Sequence, residues 1–324
     1  MTLEEICLPI KPDLALVDTV IQKHIASSVS FVTSIAEYVI RNGGKRLRPM
    51  LCLIASRLAG ATGPKVIDCA AAMEFFHTAT LMHDDVIDNA KLRRGKASAN
   101  NRWGNQVAVL VGDFFYCQAS ALLVGTDNLK VIKLVTRAML STTEGEILEI
   151  SKSNDLGTTE EDYLKIVTDK TAVLMATSCA IGGILGNVSE EYVAALSEYG
   201  RSLGIAFQLA DDVLDYISDE AHFGKAQGTD LREGKLTLPL LSALRRCNDD
   251  ERRLIKDVLI AENLEESRLR EVTSIITKYG GIENTLNLAR NYVQKAIDSL
   301  YLFKPSMEKE SLHALASYVI DRKQ

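Results

Sequence analysis

The residues with the most chemical content are two copies of one pattern, D-D-x-x-D: Asp84-Asp85-Val86-Ile87-Asp88 and Asp211-Asp212-Val213-Leu214-Asp215. Residues four apart on a helix share a face, so Asp84 lies above Asp88 and Asp211 above Asp215. Like charges at that spacing cost roughly a few tenths of a kcal/mol per pair. Each pattern also follows an apolar turn, Ala79-Thr80-Leu81-Met82 in one case and Phe207-Gln208-Leu209-Ala210 in the other. A helix that carries such repulsion beside its core calls for cations. Mg²⁺ suits these groups, because it prefers oxygen ligands, accepts one or two carboxylates and completes its shell with water and substrate phosphates. One such triplet reads equally well as a solvated helix end; two, each in an apolar helix, read as a site for Mg²⁺ and a diphosphate.

A diphosphate also needs basic groups, and they occur in separate places. Gly43-Gly44-Lys45-Arg46-Leu47-Arg48-Pro49 is a glycine turn leading into cations. Free backbone N–H groups in such a turn can cradle an anion. Arg93 and Arg94 follow the first acidic cluster closely, and arginine grips phosphate oxygens with a bidentate fork. Lys170-Thr171, Lys225 and Lys235 add further candidates. Taken singly, each of these is an ordinary surface charge; the interleaving with the acidic clusters gives them meaning.

The elements that must position these groups are helices. Six prolines occur, and the apolar runs keep a 3.6-residue spacing, as in Leu14, Val17, Ile21 and Ile25 and in Leu254, Val258 and Leu259. No alternating strand pattern stands out, and about ten or more helices are expected in one all-α domain covering residues 1–324. The part beyond Asp249 is more polar and reads as a structural helical appendage. Val107 to Val124 is apolar enough to raise a membrane span, but Asp113 and Gln118 favour a buried helix.

A net charge of -6 excludes general nucleic-acid binding through an overall positive field. Six scattered cysteines without a C-x-x-C pair read as reduced, buried thiols, and Glu4 and Glu5 at the start argue against a secretion signal. A cytoplasmic protein is expected.

At these motifs the chain resembles the trans-isoprenyl (polyprenyl) diphosphate synthase family, most of all its bacterial octaprenyl-type members. The resemblance is densest from Gly43 to Gly112 and from Tyr199 to Pro239, and rests on G-G-K-R-x-R-P followed by Glu74 to Asp85 and Ser202 to Asp212. It implies the isoprenoid synthase fold, a bundle around a central substrate cavity, and a homodimer. It implies elongation of an allylic diphosphate, farnesyl or geranylgeranyl, with isopentenyl diphosphate by ionisation, condensation and elimination. By resemblance Lys45, Arg48, His77 and Arg94 bind isopentenyl diphosphate. Arg93, Lys170, Thr171, Gln208, Lys225 and Lys235 hold the allylic diphosphate, and oxygen dipoles of Thr171 and Gln208 steady the allylic cation. Asp84, Asp88 and Asp211 are the main ligands of about three Mg²⁺ ions, supported by Asp85, Asp212 and Asp215. No histidine is placed as a base, and the released diphosphate takes the proton.

In this family a bulky side chain five positions before the first aspartate blocks chain growth; here that position holds Ala79, beside Thr80. The implied product is long, octaprenyl or near, for a quinone side chain, with Leu122, Leu123 and Met139 as candidates for the tunnel floor. Contact with a membrane is at most transient, at product release. The alternatives are a shorter geranylgeranyl product or a silent subunit of a heteromeric synthase. A di-iron bundle is the rival metal chemistry, from Glu74-x-x-His77 and Glu310-x-x-His313, but it leaves both aspartate clusters unexplained.

Overall fold

Proline and glycine punctuation turns the apolar runs into a succession of helices. The computed structural model describes residues 2–217, 228–261 and 265–321. The helices that bear on the site are α1 (Leu3–Cys7), α2 (Lys11–His24), α3 (Ser30–Arg41), α4 (Leu47–Leu58), α5 (Pro64–Ile87), α6 (Ala99–Trp103), α7 (Asn105–Gly125), α8 (Leu129–Lys152), α9 (Glu160–Val167), α10 (Val173–Leu185) and α11 (Glu190–Ile217). Beyond them lie Thr229–Arg232, Leu238–Leu244, Asp249–Leu259, Glu266–Lys278, Gly281–Ser299 and Met307–Asp321. The all-α expectation holds. Several starts are written locally: Thr159 and Asp162 form a reciprocal capping box at α9, and α5 opens with proline in its first turn.

One feature departs from it. Leu92–Arg93 and Lys96–Ala97 pair as a two-residue antiparallel ladder. Arg94 (φ 53°) and Gly95 (φ 74°) make the turn with positive φ at both central positions, the geometry that matches strand twist in a tight hairpin. Strands this short carry no alternation for a sequence pattern to register.

The chain groups into two compact units, residues 1–138, 174–200 and 299–315 in the first, and 139–173, 201–298 and 316–324 in the second. In the first, α5 is buried along most of its length and packs against α2, α4 and α7. Phe75 meets Phe115 with ring centroids 5.7 Å apart, and Phe76 meets Tyr116 edge-on at 5.0 Å. Glycine permits the closest approach of α10 to α4: a Cβ on Gly182 would lie 2.4 Å from the Ser56 nitrogen.

Helix α7 corrects the expectation of a buried helix. Ala108, Val111, Phe115, Ala119, Leu122 and Leu123 are buried, but Val109, Leu110, Tyr116 and Val124 face outward, with Leu110 67% exposed. A single chain covers only one side of it. Cys117 on the same helix is exposed, so the expectation of buried thiols holds for Cys52, Cys69 and Cys179 only; Cys7 and Cys247 are half-buried.

In the second unit, Tyr163, Leu209, Tyr216 and Leu240 share a core with Ile255, Val258, Leu259, Leu269, Val272 and Ile276. The helices Asp249–Leu259, Glu266–Lys278 and Gly281–Ser299 are therefore part of this core and not an appendage. Their polar majority hid a narrow apolar stripe.

Candidate active site

In the first unit the acidic motif lies at the C-terminal end of α5. Asp84 and Asp88 are half-buried, whereas Asp85 is buried. Arg93 donates to Asp85 from both Nε and Nη2, at 2.8 and 2.5 Å. The hairpin that carries Arg93 is tied down on all sides. Tyr38 Oη donates to the Ala97 carbonyl at 2.8 Å, Asn100 Nδ2 to the Asp85 carbonyl at 2.9 Å, and Arg94 Nη1 to the Asn42 carbonyl at 3.1 Å. Gly44 passes so near Arg94 that a Cβ would sit 2.4 Å from Nη2. The glycine turn and the hairpin thus meet, which brings Arg94 to the basic stretch of residues 45–48.

The result is a group of positive charges. Arg46, at left-handed φ 55°, pairs with buried Glu74 at 2.6 Å and with Asp18 at 3.7 Å. Glu74 is thereby committed to an arginine, which removes it from the E-x-x-H reading. Arg48 has a buried Nε without a hydrogen-bond partner. Burial lowers its pKa to about 10, against the pull of Glu74 and with Arg94 adding to the drop. His77 is pushed well below the usual histidine range by burial and then by Arg48, Arg94, Arg93 and Arg46. It is therefore neutral at physiological pH. A cavity of about 50 Å³ is lined by His77, Arg93, Arg94, Asp85 and Glu74 among others. An orphaned buried donor among excess cations is a place for an anion.

Of the residues proposed for chain length, Ala79 is buried, Leu122 and Leu123 are buried on α7, and Thr80 Oγ1 donates to the His77 carbonyl at 2.9 Å. Met139 is buried on α8, in the second unit.

The second unit places Lys170 and Thr171 inside a π-helical segment, Thr168–Ala172, between α9 and α10. Such segments widen a helix locally and occur often at functional sites. Helix α8 approaches this segment at Gly145, where a Cβ would lie 2.7 Å from the Lys170 backbone nitrogen. Lys170 Nζ bridges Glu146 and Glu149, both at 2.6 Å. Lys235 pairs with Glu233 at 2.7 Å and lies 3.9 Å from Glu149. Lys225 lies outside the described residues.

The acidic motif of α11 sits beside this segment. Thr171 Oγ1 donates to Gln208 Oε1 at 3.1 Å, and Gln208 Nε2 donates to Asp212 Oδ1 at 2.8 Å. Tyr163 Oη donates to Asp212 Oδ2. Burial pushes the Asp212 carboxyl up to about 7 despite these two donors, with Asp211 and Glu149 adding like charge. Asp215 accepts from the backbone nitrogens of Thr229 and Asp230 at 3.2 and 3.1 Å, capping that short helix. Asp211 is half-buried. A cavity of about 120 Å³ gathers Lys170, Thr171, Gln208, Asp212 and Lys235, with Tyr163 and Glu149 also in its wall.

Among the described residues no three acidic or sulfur or imidazole groups converge into a ready metal cage. In each unit the half-buried aspartates, Asp84 and Asp88 in the first and Asp211 in the second, offer carboxylate oxygens, which suit a hard cation such as Mg²⁺ that completes its shell with substrate phosphate and water. Asp85, Asp212 and Asp215 each have their carboxylates engaged by protein donors. Sequence reasoning missed Tyr163, Glu146 and Glu149. Tyr163 stands seven residues before Lys170, on one face at helical spacing, and Glu146-x-x-Glu149 has the i, i+3 spacing of a shared face.

The family model described as Polyprenyl synthetase matches residues 29–276. An octaprenyl diphosphate synthase of Haemophilus influenzae is 38% identical over 322 residues, 99% of this chain and 98% of that protein. A solved polyprenyl synthase from Caulobacter crescentus, complexed with calcium and isoprenyl diphosphate, superposes with a TM-score of 0.95 at 39% identity, covering 100% of this chain and 98% of that one. A decaprenyl diphosphate synthase structure from Rhodobacter capsulatus gives 0.95 at 37% identity, covering all of both chains. The two acidic motifs, their basic partners and the helices that carry them therefore belong to the isoprenoid synthase fold, and the chain is a member of the polyprenyl synthetase family, a prenyl diphosphate synthase of the transferase class.

Proposed function

We propose that this enzyme is a Mg²⁺-dependent trans-prenyltransferase that adds isopentenyl diphosphate repeatedly to a farnesyl or geranylgeranyl primer, giving an octaprenyl or similar all-trans chain. The observation that carries the reading is the buried, unpartnered Nε of Arg48 among the cations that surround neutral His77. A buried cation with an unmet donor is satisfied by an anion, and the diphosphate of isopentenyl diphosphate supplies one. Arg48 and Arg94 hold its oxygens, Lys45 adds charge, and neutral His77 contributes an N–H without competing for a proton. Arg93 is oriented by Asp85, and Lys170 by Glu146 and Glu149, to receive the allylic diphosphate; Lys235 adds a second lysine, and Lys225 is the remaining family position. Mg²⁺ on Asp84, Asp88 and Asp211 would neutralise charge on the departing diphosphate.

Ala79 supports a long product, because α5 presents a methyl where a bulky group would stop growth. The octaprenyl and decaprenyl names of the similar proteins support the same length, and with it a quinone side chain as destination. The two units act as one catalytic domain in this reading, since the family match runs through both. The outward apolar side of α7, from Val109 to Val124, is the surface we assign to a homodimer in the cytoplasm; sedimentation as a monomer at micromolar concentration would remove that assignment.

The test is incubation of purified protein with farnesyl diphosphate, isopentenyl diphosphate and Mg²⁺, then chromatography of the dephosphorylated products. A ladder ending in one long polyprenol is expected. Arrest at the geranylgeranyl length would favour the shorter-chain alternative, and no elongation from any allylic primer would favour a partner-dependent subunit.

A further inference from the structure

Tyr163 is buried and lies at the end of a chain of hydrogen bonds that no part of the reaction scheme explains. The donations converge on Asp212 from two sides. Thr171 donates to Gln208, Gln208 donates to Asp212, and Tyr163 donates to the other oxygen of Asp212. We propose that Tyr163 is a positioning residue for chain elongation, fixing through Asp212 and Gln208 the direction in which Thr171 presents its hydroxyl.

The argument rests on the proposed prenyl transfer and on how each group donates and accepts. An amide can be turned over, exchanging its oxygen for its nitrogen, and a hydroxyl can turn its hydrogen to either side. Here Asp212 accepts on both oxygens, so it fixes Gln208 with its nitrogen toward α11's carboxylate and its oxygen toward Thr171. The Thr171 hydrogen is then committed to Gln208, and the Thr171 oxygen offers lone pairs in every other direction. An oxygen that only accepts stabilises a neighbouring positive charge; a hydroxyl hydrogen aimed at that charge opposes it. Without the Tyr163 hydroxyl, Asp212 lacks one of its two side-chain donors in a buried setting, and the carboxylate is no longer held facing Gln208.

The surroundings leave little freedom for compensation. Thr171 sits in the π-helical segment, and both Tyr163 and Asp212 line the same cavity as Lys170 and Lys235. Tyr163 also belongs to the hydrophobic core with Val167, Leu209 and Tyr216. Tyr163→Phe therefore removes the donor and keeps the packing.

The experiment measures single-turnover elongation of farnesyl diphosphate by the full-length wild type, Tyr163→Phe, Thr171→Val and the double variant. Melting temperature, the KM for isopentenyl diphosphate and binding of inorganic diphosphate with Mg²⁺ are followed in parallel. The expected result is a rate about 10-fold or more lower for Tyr163→Phe, below the roughly 100–1000-fold for losing a donor that itself meets the reacting centre, because Tyr163 acts through Asp212 and Gln208. Its isopentenyl diphosphate KM, diphosphate affinity and melting temperature stay close to wild type. The double variant is scarcely slower than Thr171→Val alone, because both changes break one chain. Losses that multiply in the double variant would overturn the inference, as would a Tyr163→Phe enzyme of normal rate or one whose only defect is weaker diphosphate binding or a lower melting temperature. A wild type that elongates no primer would refute the proposed function, and the inference with it.

Discussion

Gly145 is where the packing of α8 bears on Lys170 and Thr171, the proposed catalytic pair. It lies inside α8, where replacing glycine by alanine normally stabilises a helix by about 1 kcal/mol. A Cβ at this position would stand 2.7 Å from the Lys170 nitrogen, 2.9 Å from the Asp169 Cβ and 3.0 Å from the Asp169 carbonyl carbon. Two of those three atoms are backbone, so no side-chain rotation relieves the contact. Restoring ordinary separation moves α8 or the π segment by roughly 0.7 Å, and overpacking of this kind costs about 1–3 kcal/mol. The sign of the stability change is therefore expected to reverse, with Gly145→Ala less stable than wild type. The larger effect is on rate, since Lys170 and Thr171 move with the segment: a displacement approaching 1 Å costs on the order of 10–100-fold in kcat. Gly125→Ala is the control, because a Cβ at that end of α7 meets nothing within 4 Å. Thermal melting and kcat with farnesyl diphosphate read both effects. A Gly145→Ala enzyme as stable and as fast as Gly125→Ala would refute the close approach and the positioning of the lysine that follows from it.

Arg48→Gln is expected to raise the KM for isopentenyl diphosphate about tenfold or more while leaving that for the primer nearly unchanged, as steady-state kinetics with each substrate varied would show. Ala79→Tyr should shorten the product, read by chromatography of the polyprenols; an unchanged length would remove Ala79 from the control of chain growth. His77 binds its proton less readily when folded than when unfolded. The unfolded chain thus gains more protons as pH falls through the ordinary histidine range, and stability drops over that window, most steeply below pH ~6.5. His77→Gln should flatten the decline of denaturation midpoint from pH 7.5 to 5.5, and a parallel decline in both proteins would refute the assignment. Lys170 and Lys235 are matched by Glu146, Glu149 and Glu233, whereas the arginines near Glu74 outnumber its carboxylates. Chelation of Mg²⁺ should accordingly weaken binding of the allylic diphosphate far more than that of isopentenyl diphosphate in calorimetry, and equal losses would contradict this charge balance.

The helical class and the two acidic helix ends were legible because their signals are local. An apolar turn followed by D-D-x-x-D specifies both a helix and a charged face, and α5 and α11 carry these motifs where the pattern put them. The hairpin at Arg93 and Arg94 was not legible, since two-residue strands leave no period and Arg-Gly is a weak turn signal. Helix α7 misled for a different reason. An apolar helix reads the same whether its second side is covered by the same chain or left outward, and only the fold shows Leu110 and Val124 exposed.

The counter-charges were hidden for a reason that local patterns cannot remove. Arg46 finds Glu74 across 28 positions, Lys170 finds Glu149 across 21, and Tyr163 finds Asp212 across 49. In the sequence Glu146 and Glu149 alternate with Ile147 and Ile150 and read as a solvated helix face, yet they hold the lysine of the π segment. Physical chemistry does predict that such partners exist, because a half-buried cation without a carboxylate or a ligand is costly. What it leaves to the fold is which cations are already answered by the protein and which remain to be answered by substrate. Lys170 belongs to the first group and the Nε of Arg48 to the second, so under the proposed function each recognises a diphosphate by different means: one would exchange carboxylates for phosphate, the other would complete a buried donor that the protein leaves unmet.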